Sequence, residues 1–341
     1  MKVASLFTGI GGIDLGLEKA GHEITFQCEI IPYRQRVLAR HWPGVPFAND
    51  IRGTSIPTVD LVCGGFPCQD ISAAGRRAGL DGEQSKLFFE FARIAGESVK
   101  DGGWVLIENV SNLLNSNEGR DFGVILNTLA DLGFHDLAWR VLNSEHFGVP
   151  QRRRRVYLVA RRADGDRARK VLLEPEGSVG DHRESGEAWQ KRTAATGSEP
   201  EEAGRVTTQT LTTRFGSTGI DLRDAEANFI VRSFDYRQSA VSLTENRAPT
   251  LTTKEGVSIM SGDVLRRLTP TECERLQGFP DGWTLTDGPS LRWTPAWYEI
   301  ENPDLTPLDP KPDGPRYAAA GDSVTVPVIE WIGRRLRQFG E

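Results

Sequence analysis

The sequence predicts an α/β protein: a doubly wound sheet with a second, smaller domain that is mostly β or irregular. Three observations carry this. The first 160 residues alternate short apolar runs with amphipathic segments, the rhythm of strands joined by helices. A glycine-rich turn, Thr8-Gly9-Ile10-Gly11-Gly12, follows the first of those runs directly. Beyond about Ala163 the rhythm stops, and Gly, Glu, Arg and Ser dominate as far as Ala203, the composition of a boundary or a mobile connection. The chain has 341 residues, and at roughly 150 residues per domain two domains are expected.

Lys2 to Phe7 opens the sheet, and after the glycine turn Ile13, Leu17 and Ala20 share one helical face. Further strands are expected at Ile24 to Cys28, Val59 to Cys63, Trp104 to Ile107, Leu137 to Leu142 and Val156 to Ala160, with helices at Tyr33 to Arg40, Leu87 to Val99 and Gly119 to Leu132. After Ala203, short Thr/Val/Leu segments broken by Gly, Asn and Pro read as hairpins. Asp287 to Arg316 is so dense in proline that a long extended loop is expected. Val324 to Phe339 returns to helix, with Val328, Ile332 and Leu336 in one stripe and Asp322, Ser323 or Thr325 available to cap its start. That stripe needs a sheet to lie on, so the chain is expected to return to its first domain.

The composition, 38% apolar and 26% charged, is that of an ordinary globular protein. No apolar run reaches the roughly 18 residues of a membrane span, and the N-terminus lacks a secretory pattern, so no membrane association and a cytoplasmic location are expected. Cys28, Cys63, Cys68 and Cys273 are too few for a disulfide framework and lack the companions of a zinc site. Reduced thiols and no metal are expected. Net charge is −6, yet Gln151 to Lys170 holds nine Lys/Arg against two Asp, a local +7 that leaves −13 for the rest. Such a patch can steer a polyanion; a solvated arginine-rich turn is the plain alternative.

The chemistry-bearing residues stand at the carboxyl ends of the expected strands, where open α/β sheets bind ligands. Gly9, Gly11 and Gly12, with Glu29 after the second strand, suit a nucleoside-bearing cofactor, although Asp14 takes the place of the third glycine of a dinucleotide fingerprint and so argues against a nicotinamide enzyme. Asp50 could accept from an adenine amino group, with an exposed turn aspartate the commoner case. Gly64-Gly65-Phe66-Pro67-Cys68-Gln69 puts an exposed cysteine on a rigid turn, whereas Cys63 lies in the apolar run and reads as a buried thiol. Glu108, closing Trp104-Val105-Leu106-Ile107, could have a raised pKa beside a dry pocket and donate a proton, or equally cap a loop. In Gln151-Arg152-Arg153-Arg154-Arg155, strand alternation sends Gln151, Arg153 and Arg155 to one side and Arg152 and Arg154 to the other.

Taken in order, Phe7 to Gly12, Glu29, Asp50-Ile51, Gly64 to Gln69 with Ser72, Glu108-Asn109-Val110, Phe147-Gly148-Val149-Pro150-Gln151 with Arg153 and Arg155, Arg267 to Pro280, and Gly321-Asp322-Ser323-Val324 closely resemble the cytosine-5 DNA methyltransferase family. The resemblance spans the chain except Ala163 to Met260 and the proline-rich loop. It implies a Rossmann-like methyltransferase domain over 1–162 and 317–341 and a target-recognition domain over 163–316. It implies S-adenosylmethionine as cofactor, leaving as S-adenosylhomocysteine, held by Phe7, Gly9, Gly11, Glu29, Asp50, Ile51, Ser323 and Val324. It implies Cys68 as nucleophile, Glu108 as proton donor to cytosine N3, and Arg153 and Arg155 as the arginines that orient the base and the glutamate. The substrate expected is duplex DNA with the target base flipped out. A glycine-hinged loop from Ser72 to Ser85, bearing Arg76 and Arg77, is expected to close over that base, and Gln151 to face the DNA.

The sequence departs from the family at three points: Asp322 replaces the usual asparagine and is expected to cap the last helix, Gln84 and Lys86 replace arginine and glycine, and the loop from Asp287 is long. A short repeat, Thr210-Leu211-Thr212-Thr213-Arg214-Phe215-Gly216 and Thr250-Leu251-Thr252-Thr253-Lys254-Glu255-Gly256, offers Arg214 and Lys254 as loop-tip phosphate contacts. A transfer-RNA methyltransferase and a catalytically silent DNA-binding regulator are the competing readings. A monomer is expected. The recognised DNA sequence and a partner restriction endonuclease are not legible.

Overall fold

The computed structural model describes residues 1–67, 86–173, 232–234, 244–245, 258–261, 264–286 and 313–340. Seven strands form the main sheet: β1 (Lys2–Leu6), β2 (Glu23–Cys28), β3 (Phe47–Ala48), β4 (Val59–Gly64), β5 (Val99–Val110), β6 (Asp136–Asn143) and β7 (Arg154–Arg161). Their order is β3-β2-β1-β4-β5-β7-β6. The first five run parallel, and β7 lies antiparallel between β5 and β6. Strand order reverses between β1 and β4, which opens a crevice at their carboxyl ends.

Alternation along the strands feeds two cores. One face, with Ala4, Leu6, Val62, Val105, Ile107 and Leu158, is covered by α3 (Lys86–Ser98) through Phe88, Phe91 and Ile94 and by α4 (Arg120–Asp131) through Phe122, Ile125 and Leu129. The other, with Val3, Leu61, Leu106, Tyr157 and Val159, is covered by α1 (Gly12–Lys19), α5 (Arg167–Leu172) and the last helix, α8 (Val326–Phe339). The expected stripe Val328, Ile332 and Leu336 is fully buried there, so the chain does return to its first sheet.

A third cluster joins Ile10 with Val37 and Leu38 of α2 (Pro32–His41) and Trp42 just after it to Phe279 and Trp283, which follow α6 (Pro270–Gln277). Thr269 caps α6 in a reciprocal box with Glu272, and Pro270 occupies its first turn. A separate four-stranded antiparallel sheet, β11-β10-β8-β9, is built from β8 (Arg232–Phe234), β9 (Thr244–Glu245), β10 (Ser258–Ser261) and β11 (Val264–Arg267).

Packing extends the first core beyond its expected limit at residue 162. Buried Asp136 accepts from the backbone N–H groups of Arg167 (2.8 Å) and Ala168 (3.1 Å), which starts α5 and seats Ala168, Val171 and Leu172 on the sheet. The expected extended loop to Arg316 is likewise corrected at its end. A helix, α7 (Asp313–Asp322), already begins at Asp313, because Pro315 falls in its first turn, where a missing N–H is harmless. The rest of that proline-dense stretch lies outside the described residues.

Asp14, in place of a fingerprint glycine, is wholly buried and accepts from Ser5 Oγ (2.9 Å) and Gln27 Nε2 (2.8 Å), tying α1 to β1 and β2. Burial pushes its carboxyl up from 3.8 to about 6. The folded value lies above the unfolded one, so the stability this group contributes is complete below about pH 4 and is lost as pH rises through about 6. Asp14→Asn abolishes that loss. The advantage of the variant over the native protein is expected to grow by up to about 3 kcal/mol between about pH 4 and 7, measured by urea unfolding. A difference that does not change with pH would refute it.

Candidate active site

The turn after β1 is held by the ends of its neighbours. Thr8 donates its backbone N–H to Cys28 O (3.0 Å), and Gly9 donates to Glu29 Oε2 (2.8 Å), while Ile31 N donates to Glu29 Oε1 (2.8 Å). Phe7 adopts φ 55°, a left-handed conformation that a non-glycine residue keeps only where its surroundings impose it. Gly12 has no room for a side chain: a Cβ there would lie 2.5 Å from Ser323 Oγ and 2.9 Å from Val324 Cγ2. Ser323 and Val324 are thereby brought against the glycine turn from the far end of the chain.

A cleft of about 450 Å³ opens at this edge, lined by Phe7, Cys28, Glu29, Ile30, Asn49, Asp50, Ile51, Arg52, Pro67, Leu87 and Glu90. Four residues expected to hold a cofactor, Phe7, Glu29, Asp50 and Ile51, thus share one wall. Among the described residues nothing lies within 4 Å of where a Cβ on Gly9 would point, so they leave the backbone there open to approach. Burial pushes the Glu29 carboxyl up, opposed by Arg34 and by backbone N–H groups. Asp50 is held below the usual range by Arg52, whose Nε lies 3.0 Å from both carboxylate oxygens. Ile30, Leu87 and Glu90 were not singled out from the sequence. Ile30, an apolar side chain 61% exposed directly after Glu29, is marked out only by the structure.

The neighbouring strand ends gather the second group. Gly64 packs so closely on β1 that a Cβ would sit 2.3 Å from Leu6 O, and the chain then turns through Gly65 and Phe66 to Pro67. Asn109 Nδ2 donates to Phe66 O (3.2 Å) and fixes this turn against β5. Glu108 is buried, and its Oε1 lies 3.3 Å from Arg155 Nε. The pair is close enough for charge attraction, but Oε1 accepts no aligned hydrogen bond. Burial pushes the Glu108 carboxyl up, with Arg155 and then Arg153 pulling it down. Arg153, itself buried, donates from Nη1 to Gly321 O (3.1 Å), and burial together with Arg155 draws its pKa down to about 10. Gln151 is fully buried, with neither side-chain amide atom hydrogen-bonded.

The chain thus brings Glu108, Arg153 and Arg155 together. Cys68, Ser72, Arg76, Arg77, Arg214 and Lys254 lie outside the described residues, as do the threonine repeat and Gln84. Cys63 is fully buried, as expected, and burial raises its thiol pKa. The expected helix-capping role of Asp322 is overturned: it ends α7, and its carboxylate pairs with Arg34 of α2. Thr325 occupies the cap position of α8 without capping it, because its hydroxyl is spent on Gln277 Oε1 (3.0 Å) and Ser144 Oγ (2.8 Å). No described helix is long and apolar enough to cross a membrane.

A family model for C-5 cytosine-specific DNA methylases matches residues 1–338. The chain belongs to this family. Among curated relatives it is 31% identical to Type II methyltransferase M2.BsuMI of Bacillus subtilis, over 99% of this chain and 76% of that protein. It is 30% identical to M.NlaX of Neisseria lactamica, over 98% and 96% respectively. The crystal structure of Schizosaccharomyces pombe Dnmt2 superimposes with a TM-score of 0.58 at 18% identity, covering 99% of both chains, a likeness of fold. The methyltransferase is thus a Rossmann-like enzyme of cytosine methylation, and the family implies S-adenosylmethionine as methyl donor.

Arg34 stands between two carboxylates, since it is also the main charge opposing the raised pKa of Glu29. The Asp322 side chain is 43% exposed, and an exposed pair contributes at most about 1 kcal/mol. Asp322→Asn is therefore expected to change the dissociation constant of S-adenosylmethionine by less than about tenfold, roughly 1.4 kcal/mol, in calorimetry. A larger change at unaltered thermal stability would mean that residue 322 touches the cofactor.

Proposed function

We propose that this enzyme methylates carbon 5 of a cytosine flipped out of duplex DNA, through a transient covalent bond from Cys68. The observation that carries the reading is Glu108: a buried carboxyl with a raised pKa, flanked by Arg155 and Arg153, beside the turn whose last described residue, Pro67, precedes Cys68. A carboxyl whose pKa is raised by burial is a better match for proton transfer than a solvated one, and one stripped of water can give its proton only to a ligand in contact with it.

The residues around the cleft fit the donor the family implies. Glu29 would take the ribose hydroxyls, Asp50 and Ile51 the adenine, and the Phe7–Gly11 turn the methionine portion, with Ser323 and Val324 closing behind Gly12. When bound, S-adenosylmethionine supplies an electrophilic methyl group. The chain must make carbon 5, a poor nucleophile, reactive. Cys68 as thiolate adds to carbon 6 while Glu108 delivers a proton to N3, so the electron pair of the 5,6 double bond becomes available at carbon 5. After methylation a base removes the carbon 5 hydrogen and the sulfur–carbon bond breaks, restoring the double bond and releasing the thiolate, while N3 returns its proton to Glu108. Arg155 and Arg153 hold Glu108 in place and favour negative charge near the base. A stacked base is out of reach of groups this deep, which is why flipping is required. Target recognition is assigned to the segment between α5 and α6.

Incubation with tritiated S-adenosylmethionine and either duplex DNA or transfer RNA tests the substrate. Label in DNA is expected; label in RNA alone would move the enzyme to the RNA branch, and none in either would favour a silent regulator. Cys68→Ser should abolish transfer while cofactor affinity stays within a few-fold, and near-native turnover would refute the nucleophile. Glu108→Gln should slow methylation by about 10²- to 10⁴-fold and spare DNA affinity; equal losses in both would make Glu108 a binding residue.

Gln151 offers a separate test. An unpaired buried amide costs about 1–3 kcal/mol, so a ligand-facing Gln151 predicts that Gln151→Met leaves the melting temperature unchanged or higher while duplex affinity falls. A lowered melting temperature with native affinity would make the amide structural.

A further inference from the structure

Asp50 is assigned above to the adenine of the cofactor, yet its carboxylate is already engaged by its own turn. Arg52, two positions on, donates its backbone N–H to Oδ1 (2.9 Å). Its Nε–H reaches both oxygens (3.0 Å each), and an Nη2 hydrogen reaches Oδ2 (2.5 Å). Asp50 and Arg52 both line the cleft of about 450 Å³, with side chains 36% and 66% exposed. A carboxylate so open to water is otherwise free to turn about its last bond. The guanidinium, a planar fork laid against both oxygens, sets its plane.

The turn that carries this pair is held without the Arg52 side chain. Thr54 donates its hydroxyl to Asp50 O (2.5 Å) and its backbone N–H to Ile51 O (3.2 Å). Gly53 supplies the left-handed step at φ 69°. Arg93 of α3 then donates from Nη2 to Thr54 O (2.9 Å) and to Glu90 (2.9 Å), another residue of the cleft wall. What the Arg52 side chain adds is therefore the orientation of one carboxylate rather than the shape of the loop. Arg52 also holds that carboxyl below the usual range, so at neutral pH it is an acceptor only. Among the described residues three hydrogens fall on its oxygens, all from Arg52. Of the roughly four acceptor sites of a carboxylate, about one is left, and one N–H of an exocyclic amino group fills it.

We propose that Arg52 is a positioning residue for cofactor recognition: its fork holds Asp50 with a single acceptor site turned to the cleft, and so makes the pocket read the 6-amino group of the adenine. Arg52 acts through Asp50 and needs no contact of its own with the base. An acceptor fixed in advance spares the ordering cost at binding, and a site built to accept from an N–H discriminates against a ligand that lacks it. The inference rests on the assignment of Asp50 to adenine under the proposed function.

The test compares two ligands by calorimetry, S-adenosylhomocysteine and its analogue with hydrogen in place of the 6-amino group. The native enzyme is expected to prefer the amino ligand. Arg52→Met keeps the alkyl stem and removes the fork. In that variant the preference should fall about three- to tenfold while affinity for the analogue stays within about twofold, since one neutral hydrogen bond is at stake. An equal loss of both affinities would make Arg52 a structural residue of the loop, an unchanged preference an idle one, and an increased preference a competitor of adenine; each overturns the proposal. Asp50→Ala separates this outcome from the reading beneath it and should abolish the preference. If the native enzyme shows no preference, or Asp50→Ala leaves it intact, the failure lies with the assignment of Asp50 to adenine instead.

Discussion

A carboxyl group taken out of water stays useful only where neighbouring charges offset the desolvation, and the rest of this molecule is arranged around that constraint at Glu108. Burial raises its pKa, while Arg155 and Arg153 restrain the rise. Arg155 belongs to β7 and Arg153 directly precedes it, and they reach Glu108 because the antiparallel register sets Tyr157 opposite Glu108 and Arg155 opposite Val110. A shift of one residue would send them to the other face. The reversed strand is thus what allows cations and the carboxyl group to meet at one edge of an otherwise parallel arrangement.

Holding Arg153 in turn requires the end of the chain. Its guanidinium is fixed by Gly321 O, and the segment around Gly321 is fixed by Gln277, whose Nε2 donates to Ala320 O (2.9 Å) and Ser323 O (3.3 Å). Gln277 belongs to α6, which the buried Glu274 ties to Gly282 N (2.7 Å), Thr284 N (3.0 Å) and Arg316 (3.0 Å). Trp283 closes the circuit by donating from Nε1 to Ile10 O (2.8 Å) in the glycine turn itself. Polar networks this deep are stabilising only when their members are paired, so the glycine turn and the Glu108 side are held by one set of bonds. The unpaired amide of Gln151 stands out against that background.

The elements that were legible in the sequence are those whose local pattern and tertiary role agree. Strand alternation, the glycine turn, the stripe of α8 and the division of the arginine run were all recoverable from residue type and spacing, and they place Phe7, Glu29, Asp50, Glu108, Arg153 and Arg155 at one sheet edge. What could not be read depends on partners far away in the chain. Asp322 has the chemistry of a helix cap, but Arg34 claims it from 288 positions away. Thr325 would cap α8 were its hydroxyl not engaged by Gln277 and Ser144. The helix α5 lies in a charged stretch and owes its existence to Asp136, on another element. Ile30 became visible as cleft lining only once β2 and β3 were placed.

The charge pattern illustrates the same point and sharpens it. From sequence, Gln151 to Lys170 is one patch of +7. In the fold those cations part company. Arg155 faces Glu108, Arg153 a carbonyl, and Arg162 the carbonyls of Gly96 (2.9 Å) and Val99 (2.7 Å). Lys170 pairs with Asp166, and Arg161 lies 5.7 Å over the Trp104 ring. Near-field electrostatics, which decide contact at physiological salt, are therefore set by where the packing sends each cation, and of this run Arg152 and Arg154 are the two left exposed beside the buried Arg153. A linear count of charge measures the supply of cations; the alternation of one strand determines which of them a polyanion meets.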